Sequence, residues 1–202
     1  MTAQINDAFR YRKKEYSLAG ISEGDLFDIS VLGLNPIGLS SACWRGYLAV
    51  FAVVESRLVL DTLHVSLVQR GEGNKLFADK VGPVVNGVAP SPARGDLKFF
   101  VNNSYEGLDY HLKYSGRLLL ADGFIQGLYV HMGFHPAWKY ETVIELVFDG
   151  GVLKEEFDRS ERMAEIREMV RKSQETNSST ERPSEEELKQ FVARAFDRRY
   201  WR

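Results

Sequence analysis

The sequence holds a single cysteine in 202 residues, so no internal disulfide can form and nothing asks for an oxidising compartment. Long hydrophobic runs are lacking too. The longest, Leu48 to Val54, falls far short of the roughly 20 residues that a membrane-spanning helix needs. The opening MTAQINDAFRYRKK has no charged segment followed by an apolar core, so it does not read as a secretory signal. Charge of one sign is also scarce: the formal net charge is -2, which gives no global attraction to nucleic acid or to an anionic membrane. Glycine loops that cradle phosphate (GxGxxG, GxxxxGKS/T) and the GxSxG nucleophile elbow are missing. These absences set the expectation of a soluble, cytoplasmic protein with no membrane partner, nucleic acid disfavoured, and no cofactor.

What is present is ordinary for a globular chain, with 44% hydrophobic and 27% charged residues, and long enough to bury a real core. Aromatics lie mostly before residue 150, in a region rich in valine, leucine, tyrosine and glycine, which is strand composition. Leu108, Tyr110, Leu112 and Tyr114 alternate with polar residues, and so do Thr142, Ile144, Leu146 and Phe148. That period of two describes strands with one wet face. Asp149-Gly150-Gly151 then predicts a hairpin returning through Val152 and Leu153. Leu48 to Val54, Glu55-Ser56 and Leu58 to Leu60 predict a second hairpin, whose first arm is apolar on both faces and so central. Shorter candidate strands are Phe9 to Tyr11 with Tyr16 to Leu18, Leu97 to Val101, Arg117 to Leu120 and Leu128 to Met132. Gly71 to Gly95, rich in glycine and proline, predicts an irregular excursion with a short strand near Leu76 to Ala78.

After Leu153 the period changes. Met163, Ile166 and Val170 recur at helical spacing among Glu and Arg, predicting a surface helix over about Asp158 to Lys172. Ser173 to Pro183, without apolar residues, reads as a flexible linker. Ser184 with Glu187 forms a capping-box signature, and Leu188, Phe191, Val192, Ala195, Phe196 and Tyr200 trace an apolar stripe. The expected organisation is one β-rich domain over 1–172 ending in a helix, a linker over 173–183 and an amphipathic helix over 184–202. That last helix is expected to dock on its own domain, or else on a neighbouring copy, making a homodimer, or on a partner.

SACWRGY, at Ser41 to Tyr47, is the stretch where chemistry is first sought. Arg45 could lower the pKa of Cys43 and make it a nucleophile, but a thiol beside an apolar run is more often a small buried hydrophobe. In an extended chain Cys43 and Arg45 share one face and Trp44 takes the other, and Gly46 lets the backbone bend or pack closely. His131 and His135, four apart in YVHMGFHPAW, have zinc-ligand spacing only on a helix, which Gly133 and Pro136 oppose; no metal is expected. Arg10, Arg12, Lys13 and Lys14 read as a hairpin turn before they read as a phosphate-binding patch. Polar groups set among apolar ones are the better guide: Arg45, His64, His131 and Glu145. Together with Trp44, Tyr47, Tyr129 and Trp138 they would make a ligand pocket, apolar with a few fixed polar groups.

SACWRGY with the hairpin after it, YSGRLLL and YVHMGF together resemble a group of uncharacterised bacterial proteins. In these, ACWRGY leads into a strand pair, and YVHMG precedes a strand ending in a glycine turn. The likeness covers roughly Ser40 to Lys154. It implies a bacterial, intracellular origin and a single β-rich domain, and it carries no activity or site residue. The resulting expectation is an α+β fold: a mainly antiparallel, strongly curved or barrel-like sheet with C-terminal helices. The expected function is a non-enzymatic binding or interaction module for a protein or small ligand. Its rivals are a small hydrolase or transferase using Cys43 or His131, and a protein that self-associates through the C-terminal helix.

Overall fold

The structure, a computed structural model, describes residues 2–71 and 77–176, and of residues 173–176 the backbone alone. Among the described residues, eleven strands and one α-helix follow in chain order. They are β1 (Ala8–Tyr11), β2 (Lys14–Ile21), β3 (Tyr47–Val54), β4 (Arg57–Val65), β5 (Val68–Arg70) and β6 (Phe77–Asp79). After these come β7 (Ser91–Pro92), β8 (Asn103–His111), β9 (Gly116–Phe124), β10 (Tyr140–Asp149), β11 (Val152–Asp158) and α1 (Ser160–Thr176).

The hairpins form where turn chemistry and apolar periodicity agree. Arg12-Lys13 and Glu55-Ser56 each take two left-handed residues, with φ of 48° and 64° in the first and 48° and 63° in the second. That backbone matches the right-handed twist of the flanking strands. Gly150 and Gly151, at φ 56° and 82°, turn β10 into β11. A Cβ on Gly151 would strike the Leu112 carbonyl, so the turn is glycine for space as well as for angle.

The main sheet runs β11-β10-β9-β2-β1-β3-β4-β8-β7, and β4 also pairs back onto β11. Every ladder is antiparallel except that of β1 with β3. The ring closes through one residue pair, Arg57 with Val152, strengthened by Leu58 N–H to Gly151 O at 2.8 Å and Leu153 N–H to Ser56 O at 2.8 Å. Beyond that point β4 leaves β11 and takes β8 instead, so the sheet is strongly curved and closed at one place without being an even barrel. β8 turns sharply at Gly107 and Asp109, both at positive φ; there its register against β4 slips between Leu60 and Thr62, a bulge that bends the strand.

Two cores result. Phe9, Leu18, Phe51, Leu60, Leu63, Tyr105, Leu118 and Leu146 fill the inside of the ring. On the outside, Met163 and Ile166 of α1 bury against Ala19, Leu119, Ala121, Tyr140 and Val143. The alternation of Leu118 and Leu120 inward with Leu119 and Ala121 outward makes β9 apolar on both faces. Arg167 fastens the helix by donating to the carbonyls of Trp138 and Tyr140, at 2.9 and 2.7 Å.

The structure is thus the expected α+β fold, mostly sheet with a helix after it. α1 continues to Thr176, into the segment whose composition reads as linker. The rest of that segment and the 184–202 helix lie outside the described residues. Two expected strands are corrected. Leu97 to Val101 is largely a 3₁₀ turn, Gly95–Phe99. Leu128 to Met132 is irregular after a 3₁₀ turn at Gln126–Leu128 and joins no ladder among the described residues; β9, the strand it follows, is paired on both edges by β2 and β10.

Candidate functional site

SACWRGY is a turn, not the first residues of a strand; β3 begins at Tyr47. Close backbone packing sets its shape. Gly46, at φ 74°, would bring a Cβ to 2.6 Å from the Ile37 carbonyl carbon, and a Cβ on Gly38 would collide with the Trp44 carbonyl. Residues 3–7 run along its other side: Gln4 Nε2 donates to Ser41 O at 2.7 Å, and Ile5 N–H donates to Ala42 O at 3.0 Å. The same segment binds the YVHMGFH stretch, through Gln4 N–H to Gly133 O at 2.8 Å. The N-terminal segment therefore brings the two stretches together at one mouth of the ring.

Arg45 lies where they meet. Its guanidinium makes a two-pronged ion pair with Asp7, at 3.0 and 2.9 Å, and Asp7 Oδ1 also accepts the Ala49 N–H at 2.9 Å. Both side chains are withdrawn from water, Arg45 to 18% and Asp7 to 3% exposure. The guanidinium sits over the rings of Tyr47 and Phe134, at 4.6 and 5.3 Å, positions that draw on the negative ring faces. Burial alone would lower the Arg45 pKa, but the Asp7 carboxylate outweighs it and the net shift is upward. Arg45 is thus a fixed, permanently charged part of the wall.

A cleft of about 290 Å³ opens beside this pair. Its floor and walls include Leu26, Phe27, Tyr47, Phe51 and Phe134, with Asp25 and Trp44 also lining it. Phe27 meets Tyr47 and Phe51 edge-on, at 5.9 and 5.8 Å, which stiffens the aromatic wall. Trp44 is 56% exposed. Cys43, by contrast, is buried, and its thiol donates to the Tyr47 carbonyl at 3.4 Å. Burial pushes the thiol pKa up, with Arg45 only partly opposing it. That keeps the sulfur protonated and gives no support to a thiolate nucleophile.

Of the residues singled out from sequence, Trp44, Arg45 and Tyr47 come together at this cleft. His64 lies on the outer face of β4, its Nδ1 2.9 Å from Ser104 Oγ, and burial lowers its pKa. Glu145 is on the outer side of β10, where it meets Arg159 at 2.6 Å and Arg117 at 3.6 Å and ties α1 to the sheet. Tyr129, His131 and Trp138 belong to another neighbourhood. There the exposed His131 is hydrogen-bonded to the Tyr129 hydroxyl at 2.9 Å.

That neighbourhood has a buried centre. Lys139 Nζ lies 3.5 Å from His135 Nδ1 and 5.4 Å from the Trp138 ring centre, and the two side chains belong to residues only 7% and 9% exposed. Phe124 and Tyr129 flank the imidazole at 4.7 and 5.2 Å. Burial, and then the Lys139 charge, lower the His135 pKa to about 4; burial lowers that of Lys139 too. His135 Nε2 is buried without a hydrogen-bond partner among the described residues. His131 and His135 thus face different partners. Among the described residues no group of three or more His, Cys, Asp or Glu is disposed to hold a metal ion.

Three of the four basic residues of the N-terminal hairpin are paired with acids. Arg10 pairs with Asp61 at 2.6 Å, Arg12 with Glu156 at 2.7 Å and Lys14 with Asp122 at 2.6 Å. Among the described residues no helix is long and apolar enough to cross a membrane.

Asp7, Asp25, Phe27, Phe134 and Lys139 escape the sequence reading. Asp7 is one acid in a short polar lead-in to β1, with nothing local to show that it meets Arg45. Lys139 carries a faint signal, a lone cation between Trp138 and Tyr140. Compared with protein-family models, curated proteins and solved structures, the chain has no significant match.

Proposed function

We propose that this protein is a non-enzymatic binding module that takes a small ligand in the cleft beside Arg45. One observation carries the reading: an immobilised cation and several aromatic rings line an open cleft next to the inner core. Apolar walls with a few fixed polar groups are the usual make-up of small-ligand sites, and groups held by an ion pair and ring packing are already ordered before a ligand arrives. The rival enzyme using Cys43 or His131 finds less support, since the thiol is buried and the imidazole is exposed beside a tyrosine. A cytoplasmic location suits a single cysteine that stays a free thiol.

The test is a small-molecule panel screened on the full chain by thermal shift, followed by tryptophan fluorescence. The expected result is that some chemical class raises the melting temperature of the wild type and loses that effect in Trp44→Ala. Trp44 is exposed, so its truncation should leave the fold intact. Ligands that act equally on both proteins would place binding elsewhere and sink the reading.

A further inference from the structure

Arginine in an aromatic cleft invites the assumption of an anionic ligand. The charges beside it argue the other way. Arg45 is already paired by two short hydrogen bonds to Asp7, so most of its field is spent on a neighbour. Asp25 lines the same cleft, is exposed, and forms no ion pair among the described residues. The charged residues lining the cleft are Asp7, Asp25 and Arg45, two acids against one base, so its formal charge is negative. The aromatic wall has the complementary property. Tyr47 and Phe134 already hold one cation against their rings, and Trp44, the ring type best suited to this, stands 56% exposed beside them.

We propose that the cleft takes a ligand carrying an organic ammonium group, with the ammonium directed to Asp25 and the apolar part of the ligand against the aromatic wall. This rests on the reading of the cleft as a ligand site. A carboxylate or phosphate ligand would bring a third negative charge to two acids whose only lining counter-charge is engaged. A neutral ligand would gain ring contacts alone. An ammonium gains both the uncompensated carboxylate and the ring faces, in a concave site where water screens less than at an open surface.

Three probes of one shape decide the matter: 2-phenylethylammonium, 2-phenylethanol and phenylacetate, titrated into the full chain by calorimetry at low salt. The ammonium should bind at least about tenfold more tightly than the alcohol, and phenylacetate most weakly, as expected for one uncompensated carboxylate plus a cation–π contact. Asp25→Asn should remove most of that preference, weakening ammonium binding far more than alcohol binding, and raised salt should narrow the gap. Asp25 is exposed, and an unchanged circular dichroism spectrum would verify that the variant folds. Equal or tighter binding of the alcohol or the carboxylate overturns the ammonium proposal and leaves the ligand site standing. An unchanged preference in Asp25→Asn overturns it as well. Binding of none of the three overturns the ammonium proposal, while the ligand-site reading stands or falls separately on the panel and Trp44→Ala.

Discussion

Two basic side chains largely withdrawn from water, each set against an aromatic ring, have opposite fates in this protein. Arg45 has Asp7 in a two-pronged ion pair and two rings against its guanidinium. Lys139 has Trp138 and, as its polar neighbour, an imidazole nitrogen at 3.5 Å. Burial disfavours the charged form of both. At Arg45 a carboxylate reverses the effect, and at Lys139 nothing does. The two neighbourhoods share a segment: Phe134 packs on Arg45 while His135, the next residue, faces Lys139. Pro136 favours an extended residue before it, and in extended chain neighbours point to opposite sides. The contrast teaches that burial of a cation says little by itself. The partner decides whether the site is a fixed charge or a reluctant one.

The sharpest way to break this contrast is to remove the partner. Asp7→Ala leaves Arg45 buried without its carboxylate and Ala49 N–H without an acceptor. It should destabilise the fold by about 3–5 kcal/mol, read as a lowered urea midpoint at unchanged slope. Asp7→Ala with Arg45→Met removes both charges and should recover part of the loss. If the single variant unfolds at the wild-type midpoint, the ion pair is not what holds the mouth of the ring together.

Acid should expose the other neighbourhood. The folded His135 pKa of about 4 lies below the ordinary value near 6.5. Between those values the unfolded chain binds a proton that the folded chain refuses, so the folded state loses stability as pH falls. The loss begins near pH 6.5 and is complete only below pH 4, amounting to about 2–3 kcal/mol once the solvent screening of an imidazole not fully buried is allowed for. Asp28, Asp122 and Asp158, whose folded pKa values are lowered, add acid sensitivity of their own. The measurement is therefore a difference: unfolding free energy at pH 7 and pH 4.5 for the wild type and for His135→Phe. The variant should lose clearly less between the two. Equal losses would assign the acid sensitivity to the carboxylates.

How much of this was legible beforehand follows the range of the forces involved. β3 with β4, β10 with β11, and the Met163–Ile166 face of α1 were readable because periodicity and turn chemistry are local. The parallel pairing of β1 with β3 and the closure of the ring through Arg57 and Val152 were not, since distant segments must meet first. Leu128 to Met132 misled because strand-forming residues state a preference, while a strand also requires a ladder partner, which this segment does not have among the described residues. At the cleft, Trp44, Arg45 and Tyr47 were found because they are chemically conspicuous and adjacent. Asp7 was missed, and with it the charge that changes the meaning of Arg45. The exposure of Glu145 to two arginines, against its expected place in a pocket, has the same origin: sequence shows that an acid is buried, not what it meets.

The smallest expected effect sharpens the contrast from the opposite side. Lys139→Met keeps the apolar stem against Trp138 and removes an amine with no carboxylate beside it. The folded Lys139 pKa lies below its unfolded value, so the wild type gives up stability as pH falls below the unfolded value toward the folded one. Methionine escapes that cost, and at neutral pH the variant should fall within about 1 kcal/mol of the wild type or above it. His135 should respond too. With the neighbouring positive charge gone, its pKa should rise toward the ordinary value, and the acid loss should shrink, leaving desolvation as the remaining cause. Both can be read from the unfolding midpoint across a pH series of the same variant. A loss comparable to that of Asp7→Ala would mean that Lys139 has a partner as strong as a carboxylate, and the two cations would no longer differ in kind.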